Sequence, residues 1–222
     1  MPDQIDRLRG TTRTAGGRRE RNMDDKRRRI FAAAANLFAE HGFDGVSTQE
    51  IADRADVAAG TVFRYASSKN ELLLMVYNQD MNAAIDDGDR ASAGVLDAVE
   101  ALVALVRPIL MISLQNPFTM VAYQRELLFG AAAEVYRAEG LELVARLERA
   151  IAARLVESTP ACGIEEDVLA QEARWAARTI FAALSLILAA PSTGAQPTAD
   201  PSDELRGQVA QIVRGFLATV QQ

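Results

Sequence analysis

One cysteine, Cys162, in 222 residues excludes an internal disulfide framework and any multi-cysteine zinc site. The one histidine, His41, stands at the end of a helical pattern, where capping the last carbonyls is its expected task. That leaves no Cys/His cluster for metal or nucleophilic chemistry, and no glycine-rich loop that could cradle phosphates. Carboxylates such as Glu126, Glu134 and Glu142 read as members of solvated helix faces. The expectation is therefore no catalysis, no metal and no cofactor. Aromatic residues make up 6% of the chain, so a core drawn from its 49% hydrophobic content consists mostly of Ala, Leu, Val and Ile. Ala and Leu are strong helix formers, and no segment alternates at period two, so an all-α fold is expected. The longest apolar region, Leu102 to Leu114, is interrupted by Arg107 and Pro108 and falls short of the ~20 residues needed to cross a bilayer. The N-terminal arginines precede no apolar stretch of the kind a secretory signal needs. A cytoplasmic chain without a membrane partner is the expectation.

The net charge of −6 conceals a division. Residues 1–30 carry ten Arg or Lys against five Asp or Glu, residues 31–75 three against six, and residues 76–222 eleven against nineteen. One end is basic and the body is acidic. An acidic body repels a nucleic-acid duplex while the basic end is drawn to it.

What the chain does contain is a cluster of caps and turns at residues 47–72, STQEIADRADVAAGTVFRYASSKNEL. Ser47 and Glu50 have capping-box spacing and open a short helix with Ile51, Ala52 and Ala55 on one face. Asp56-Val57 makes a turn, and Ala58 to Tyr65 forms a second helix of about two turns. Ser68 and Glu71 repeat the capping box and open a longer apolar helix. A helix–turn–helix with so short a second helix is suited to placing that helix end in a major groove. Double-stranded DNA is therefore the expected partner.

Upstream, residues 1–22 are polar and Arg-rich and read as a disordered basic arm. Asp24 to His41 has three-and-four apolar spacing, with Gly42 placed to stop the helix. Downstream, helices are expected from Ser68 to about Asp87, ended by the Asp86-Asp87-Gly88-Asp89 cluster, and from about Ala93 to Asn116, kinked at Pro108. Further helices are expected from Pro117 to Phe129, from Ala131 to Val156, from Glu165 or Glu166 to Ala190, and from Pro201 to Val220, with residues 191–201 a loop. The organisation is a disordered arm at 1–22, a three-helix helix–turn–helix domain at 23–68 and a larger helical effector-binding and dimerisation domain at 69–222, about nine helices in all.

This order resembles the TetR family of one-component transcriptional repressors. The resemblance is carried by Arg27, Ile30, Ala34, Leu37, Phe38, Gly42, Ile51, Ala52, Val57, Gly60, Thr61, Arg64, Tyr65, Lys69 and Leu72, and covers about residues 26–72. It implies that Arg27, Thr48, Gln49, Ala59, Gly60, Thr61, Phe63, Arg64, Tyr65 and Lys69 form the DNA-binding surface. Arg64 suits either bidentate base readout or a phosphate. Gly60 allows close approach to a neighbouring helix or to the groove. Tyr65 can reach the DNA backbone or pack between helices. Lys69, a cation in the first turn of a helix, suits a phosphate. The chain departs from the family pattern at Ala58 (usually serine), Phe63 (usually tyrosine) and Ala66 (often phenylalanine), so anchoring rests more on Thr61, Tyr65, Lys69 and the upstream arginines.

A single recognition helix offers few base contacts, so a homodimer on a palindromic operator is expected, paired through the last two helices. The middle helices then enclose an effector pocket, with Leu105, Ile109, Met120, Tyr123, Leu127, Trp175 and Thr179 as candidates. Such a lining suits a hydrophobic or aromatic small molecule that releases the repressor. The competing expectation is a helical ligand-binding or interaction protein without sequence-specific DNA binding.

Overall fold

The computed structural model describes residues 14–131, 135–159, 164–194 and 200–220, with side chains from residue 21 onward. Among the described residues there are nine helices and no strand: α1 (Thr14–His41), α2 (Thr48–Arg54), α3 (Ala59–Val62), α4 (Lys69–Ser92), α5 (Ala98–Gln115), α6 (Pro117–Phe129), α7 (Val135–Glu157), α8 (Glu166–Thr193) and α9 (Pro201–Val220). The all-α expectation holds.

The helix α4 organises the body. Every residue from Glu71 to Asn78 is buried, so the first half of this helix is enclosed on all sides by α1, α5, α6 and α7. A helix apolar around its circumference needs such surroundings. Each fully buried Leu here, from Leu72 to Leu74, contributes roughly 1.5–3 kcal/mol. On the other side, α8 lies between α6, α7 and α9.

Several boundaries differ from the sequence reading, each for a local reason. Residues 14–22 are helical and extend α1, so the expected basic arm shrinks to residues outside the described ones. The acidic cluster does not end α4, which runs on to Ser92. Arg146 of α7 pairs with Asp86 (2.5 Å) and Asp89 (3.7 Å), and Arg90 pairs with Asp87, so the carboxylates are compensated. Arg154 of α7 donates to Ser92 Oγ (3.0 Å) and to the Asp89 carbonyl (3.4 Å), placing a cation where the α4 dipole favours one. Pro191 likewise lies inside α8, which ends at Gly194 in a left-handed conformation (φ 61°). The α5 helix passes through Arg107 and Pro108 unbroken. By length and composition, α5 and α8 would each suffice to cross a bilayer. Here α5 instead lays Leu102, Leu105, Val106 and Ile109 into the bundle, against α4 and α9.

Gly88 shows how closely α4 and α5 approach. A Cβ at this position would stand 1.9 Å from the Leu105 carbonyl oxygen. Gly207 on α9 has open space around it. Urea denaturation of Gly88→Ala should show a loss of about 1–3 kcal/mol, because the two backbones must move apart. Gly207→Ala should gain about 0.5–1 kcal/mol from helix propensity alone.

Candidate nucleic-acid interface and effector cavity

The α2 helix starts as its spacing predicts. Ser47 Oγ accepts from the Glu50 amide (3.2 Å), and the Ser47 amide donates to Glu50 Oε2 (2.7 Å). These bonds to the charged form hold the Glu50 carboxyl below the usual carboxylate range. The helix ends in a Schellman motif: the Val57 amide donates to the Ala52 carbonyl (3.0 Å) and the Asp56 amide to the Asp53 carbonyl (3.1 Å). Asp56 takes the left-handed conformation that this requires (φ 49°).

The turn is also gripped from α1. Arg29 Nε donates to the Ala55 carbonyl (2.9 Å), and its Nη2 donates to the Asp56 carbonyl. A guanidinium satisfying the two carbonyls just past α2 joins the first helix to the turn. Sequence reasoning passed over Arg29, because 26 residues separate it from Ala55 and no local spacing reports the pairing.

The α-helical part of the second motif helix is a single turn, α3, shorter than the expected Ala58–Tyr65. Ala58 supplies no side-chain cap, and Arg64 and Tyr65 close tighter i→i+3 bonds onto Thr61 and Val62. Val62 and Ala66 face the core. Gly60, Phe63 and Arg64 face outward: Phe63 is 51% exposed, and the Arg64 guanidinium makes no hydrogen bond or ion pair within the described chain. A Cβ at Gly60 would meet nothing within 4 Å, so no neighbouring helix requires the glycine. Thr61 and Ala59 are half-buried, Ala59 packing on the core. Thr48 and Gln49 occupy the first turn of α2, Gln49 donating to Asp53 Oδ1 (2.8 Å).

Two expected contacts are engaged elsewhere. Tyr65 Oη donates to the Met23 carbonyl of α1 (3.1 Å), fixing the end of α3 to α1. Lys69 Nζ donates to the Val46 carbonyl (2.8 Å) and lies 4.3 Å from the centre of the Phe43 ring, so this cation braces the domain from within. Arg27 is exposed and borders a groove between α1 and the α4/α7 pair.

His41 does not cap α1. Its ring lies beside Glu40 (3.7 Å), while the Phe38 carbonyl accepts from the Gly42 amide (3.0 Å) and from Asn116 Nδ2 (2.9 Å). Asn116 is the N-cap of α6. The next turn adds a second bond: the Phe43 amide donates to Thr119 Oγ1 (3.2 Å), whose own hydroxyl donates to Asn116 Oδ1 (2.7 Å). The helix–turn–helix unit is thereby bonded to the first turn of α6.

The same helix leads to a small apolar cavity of about 50 Å³ bounded by α4, α5, α6, α7 and α8. Ile109, Met120, Tyr123 and Leu127 line it as the sequence suggests. Leu105 is buried in the core but outside the lining. Trp175 and Thr179 are elsewhere, on the outer side of α8: Trp175 is 59% exposed, and both border a shallow groove between α8 and α9. The helix α8 is apolar on two sides, and its inward side proves to be the one holding Phe181, Leu184 and Leu188.

One edge of the cavity is polar. Tyr123 Oη donates to Asn78 Oδ1 (3.0 Å), and Asn78 Nδ2 donates to the Tyr136 carbonyl (2.7 Å). Tyr77 stacks on Tyr123 with centroids 5.3 Å apart. Burial pushes the Tyr123 hydroxyl well above the usual phenol range and Tyr77 up to about 12, so both are neutral donors at physiological pH. Replacing Arg29 with Ala removes two charge-assisted bonds to the Ala55 and Asp56 carbonyls and should lower stability by about 1–3 kcal/mol in urea denaturation. Arg29→Lys, which lacks the fork, should recover less than half of that loss.

Residues 30–76 match the family model described as bacterial regulatory proteins, tetR family. Residues of this chain are 30% identical over 120 positions to the transcriptional repressor KstR of Mycobacterium tuberculosis, covering 53% of this chain and 54% of that protein. They are 33% identical over 101 positions to the transcriptional activator FasR of Mycolicibacterium smegmatis, covering 44% and 46%. The chain thus spans about half the length of these curated relatives. The fold extends the likeness: FadR of Thermus thermophilus, a TetR-family transcriptional repressor solved in complex with lauroyl-CoA, superposes with a TM-score of 0.65 over 85% of this chain and 94% of its own, at 25% identity. The helix–turn–helix region of this chain thus matches the tetR family of bacterial regulatory proteins, and its helical architecture is similar to that of a solved TetR-family repressor.

Proposed function

We propose that this protein is a homodimeric transcriptional regulator, a repressor in its ligand-free form, whose grip on a palindromic operator is released by an amphipathic ligand with a long apolar chain. The observation that carries the reading is the outward side of α3. Gly60, Phe63 and Arg64 are presented together on the surface, and the Arg64 guanidinium has no partner within the described chain. A guanidinium left free on the second helix of such a motif suits the N7 and O6 acceptors of guanine. Gly60 serves the approach to the groove, since no packing demands it. Lys69 and Tyr65 act by holding α3 in place, which leaves phosphate contact to Thr48, Gln49, Thr61 and the basic residues of α1.

The outer side of α8 supports dimerisation. Trp175 and Leu186 are 59% and 52% exposed, and with Ile212 and Phe216 they border the groove between α8 and α9. An apolar strip along two adjacent helices is suited to a second copy related by a twofold axis. Two recognition helices then read two half-sites.

The cavity supports an aliphatic ligand. Its lining is apolar, and Met81 and Met120 can repack around a chain. At about 50 Å³ it is smaller than a ligand site of ~300–1,000 Å³, so occupancy has to open it. Opening moves Tyr123 and Leu127 of α6, the helix whose first turn holds Phe38 and Phe43. The ligand then favours a state in which the two helix–turn–helix units no longer match the half-site spacing.

Selection of bound duplexes from a random pool tests the reading directly. The expected product is an inverted repeat with half-sites about one helical turn apart or more. Arg64→Ala should lose most sequence preference while keeping salt-dependent affinity for duplex. An intact dimer that selects no sequence at low salt would falsify it.

A further inference from the structure

The outer surface of α3 is short of hydrogen-bonding side chains. From Ala58 to Arg64 the exposed residues are Ala58, Gly60, Phe63 and Arg64, and of these only Arg64 carries a polar group. Phe63 does little for the fold. It is half exposed, whereas Val62 and Ala66, its neighbours along the chain, fill the core beneath. The ring has no aromatic or cationic partner among the described residues. It stands at the C-cap of α3, three residues along from Gly60, where a Cβ would meet nothing within 4 Å. The chain itself therefore leaves this turn uncovered.

Base edges in a major groove offer hydrogen-bond donors and acceptors, which a phenyl ring cannot match, and one apolar group, the C5 methyl of thymine. We infer that Phe63 reads this methyl, so that each operator half-site carries a thymine close to the guanine read by Arg64. The inference rests on the proposed function, in which α3 enters the groove, and adds the base and the group that the ring recognises. Position follows from spacing. Consecutive Cα atoms are about 3.8 Å apart and bases along a strand about 3.4 Å apart, so adjacent residues address the same or neighbouring base pairs. Because the arginine side chain is the longer of the two, the thymine lies within about two base pairs of the guanine.

A methyl contact is separable from a charge contact. Burying one methyl is worth about four-fold in affinity, and it releases no counterions from the phosphates. Phe63 therefore sets sequence preference without adding to the salt dependence, which belongs to the cationic residues.

The test takes the operator obtained by random-pool selection, replaces each thymine in turn by deoxyuridine, and follows binding by fluorescence anisotropy at fixed salt. Uracil keeps every hydrogen-bonding atom of thymine and lacks only the methyl. For the wild-type chain, one thymine per half-site, within about two base pairs of the guanine, should weaken binding about four-fold when replaced. A 5-bromodeoxyuridine at the same position, with a bromine of methyl size, should restore it. Phe63→Ala should bind the thymine and uracil duplexes alike while keeping the wild-type slope of affinity against salt. Phe63→Leu should keep part of the discrimination. If no uracil near that guanine weakens binding, or if Phe63→Ala still tells thymine from uracil there, Phe63 does not read the methyl and this inference is wrong, while sequence-specific DNA binding stands. If the wild-type chain selects no sequence at all, the proposed function itself fails and this inference falls with it.

Discussion

At the end of α1 the chain turns through Gly42, and two backbone groups there take their partners from another part of the molecule. The Phe38 carbonyl accepts from Asn116, and the Phe43 amide donates to Thr119, both in the first turn of α6. Thr119 is fully buried, so the amide has no water to fall back on. An unsatisfied buried amide costs about 1–3 kcal/mol, comparable to a large part of a domain's net stability. The helix–turn–helix unit is therefore held in an orientation dictated by α6 as well as by its own core. Lys69, braced on Val46 and Phe43, and Tyr65, bonded to Met23, carry that orientation on to α3.

The helix α4 supplies the second rigid connection. Its capped start lies directly after α3, and its buried middle brings Asn78 to the edge of the cavity. Tyr77 and Tyr123 stack between the two routes. Under the proposed function, a ligand that opens the cavity would meet Tyr123 of α6 and, one hydrogen bond behind it, Asn78 of α4. Bistable packing of this kind converts a small shift into a discrete change of domain angle.

The sequence made the fold class, the motif and most helix starts legible, because these depend on local chemistry. Ser47 and Ser68 cap the helices they were expected to cap, although the Glu71 carboxylate accepts from the Ser67 amide and so leaves the second capping box half formed. Helix ends were harder. The acidic run in α4 looks like a stop until Arg146 and Arg154 arrive from 60 or more residues away. Among the residues expected to contact DNA, those whose part depends only on the motif, Gly60, Phe63 and Arg64, are found on the outer surface. Lys69 and Tyr65 are spent on internal partners that no spacing could reveal. Trp175 and Thr179, expected in the pocket, lie on the outer side of α8, because periodicity alone does not say which side of a helix faces inward.

The claim on which the rest depends is that ligand reaches the helix–turn–helix unit through Asn116 and Thr119. Pulsed electron paramagnetic resonance can measure the distance between spin labels attached at Gln49 in the two protomers of the proposed dimer. Lauroyl-CoA should change this distance in the wild-type chain. In the double variant N116A/T119V the ligand should still bind while the distance stays put. An equal change in both proteins would contradict the coupling through α6.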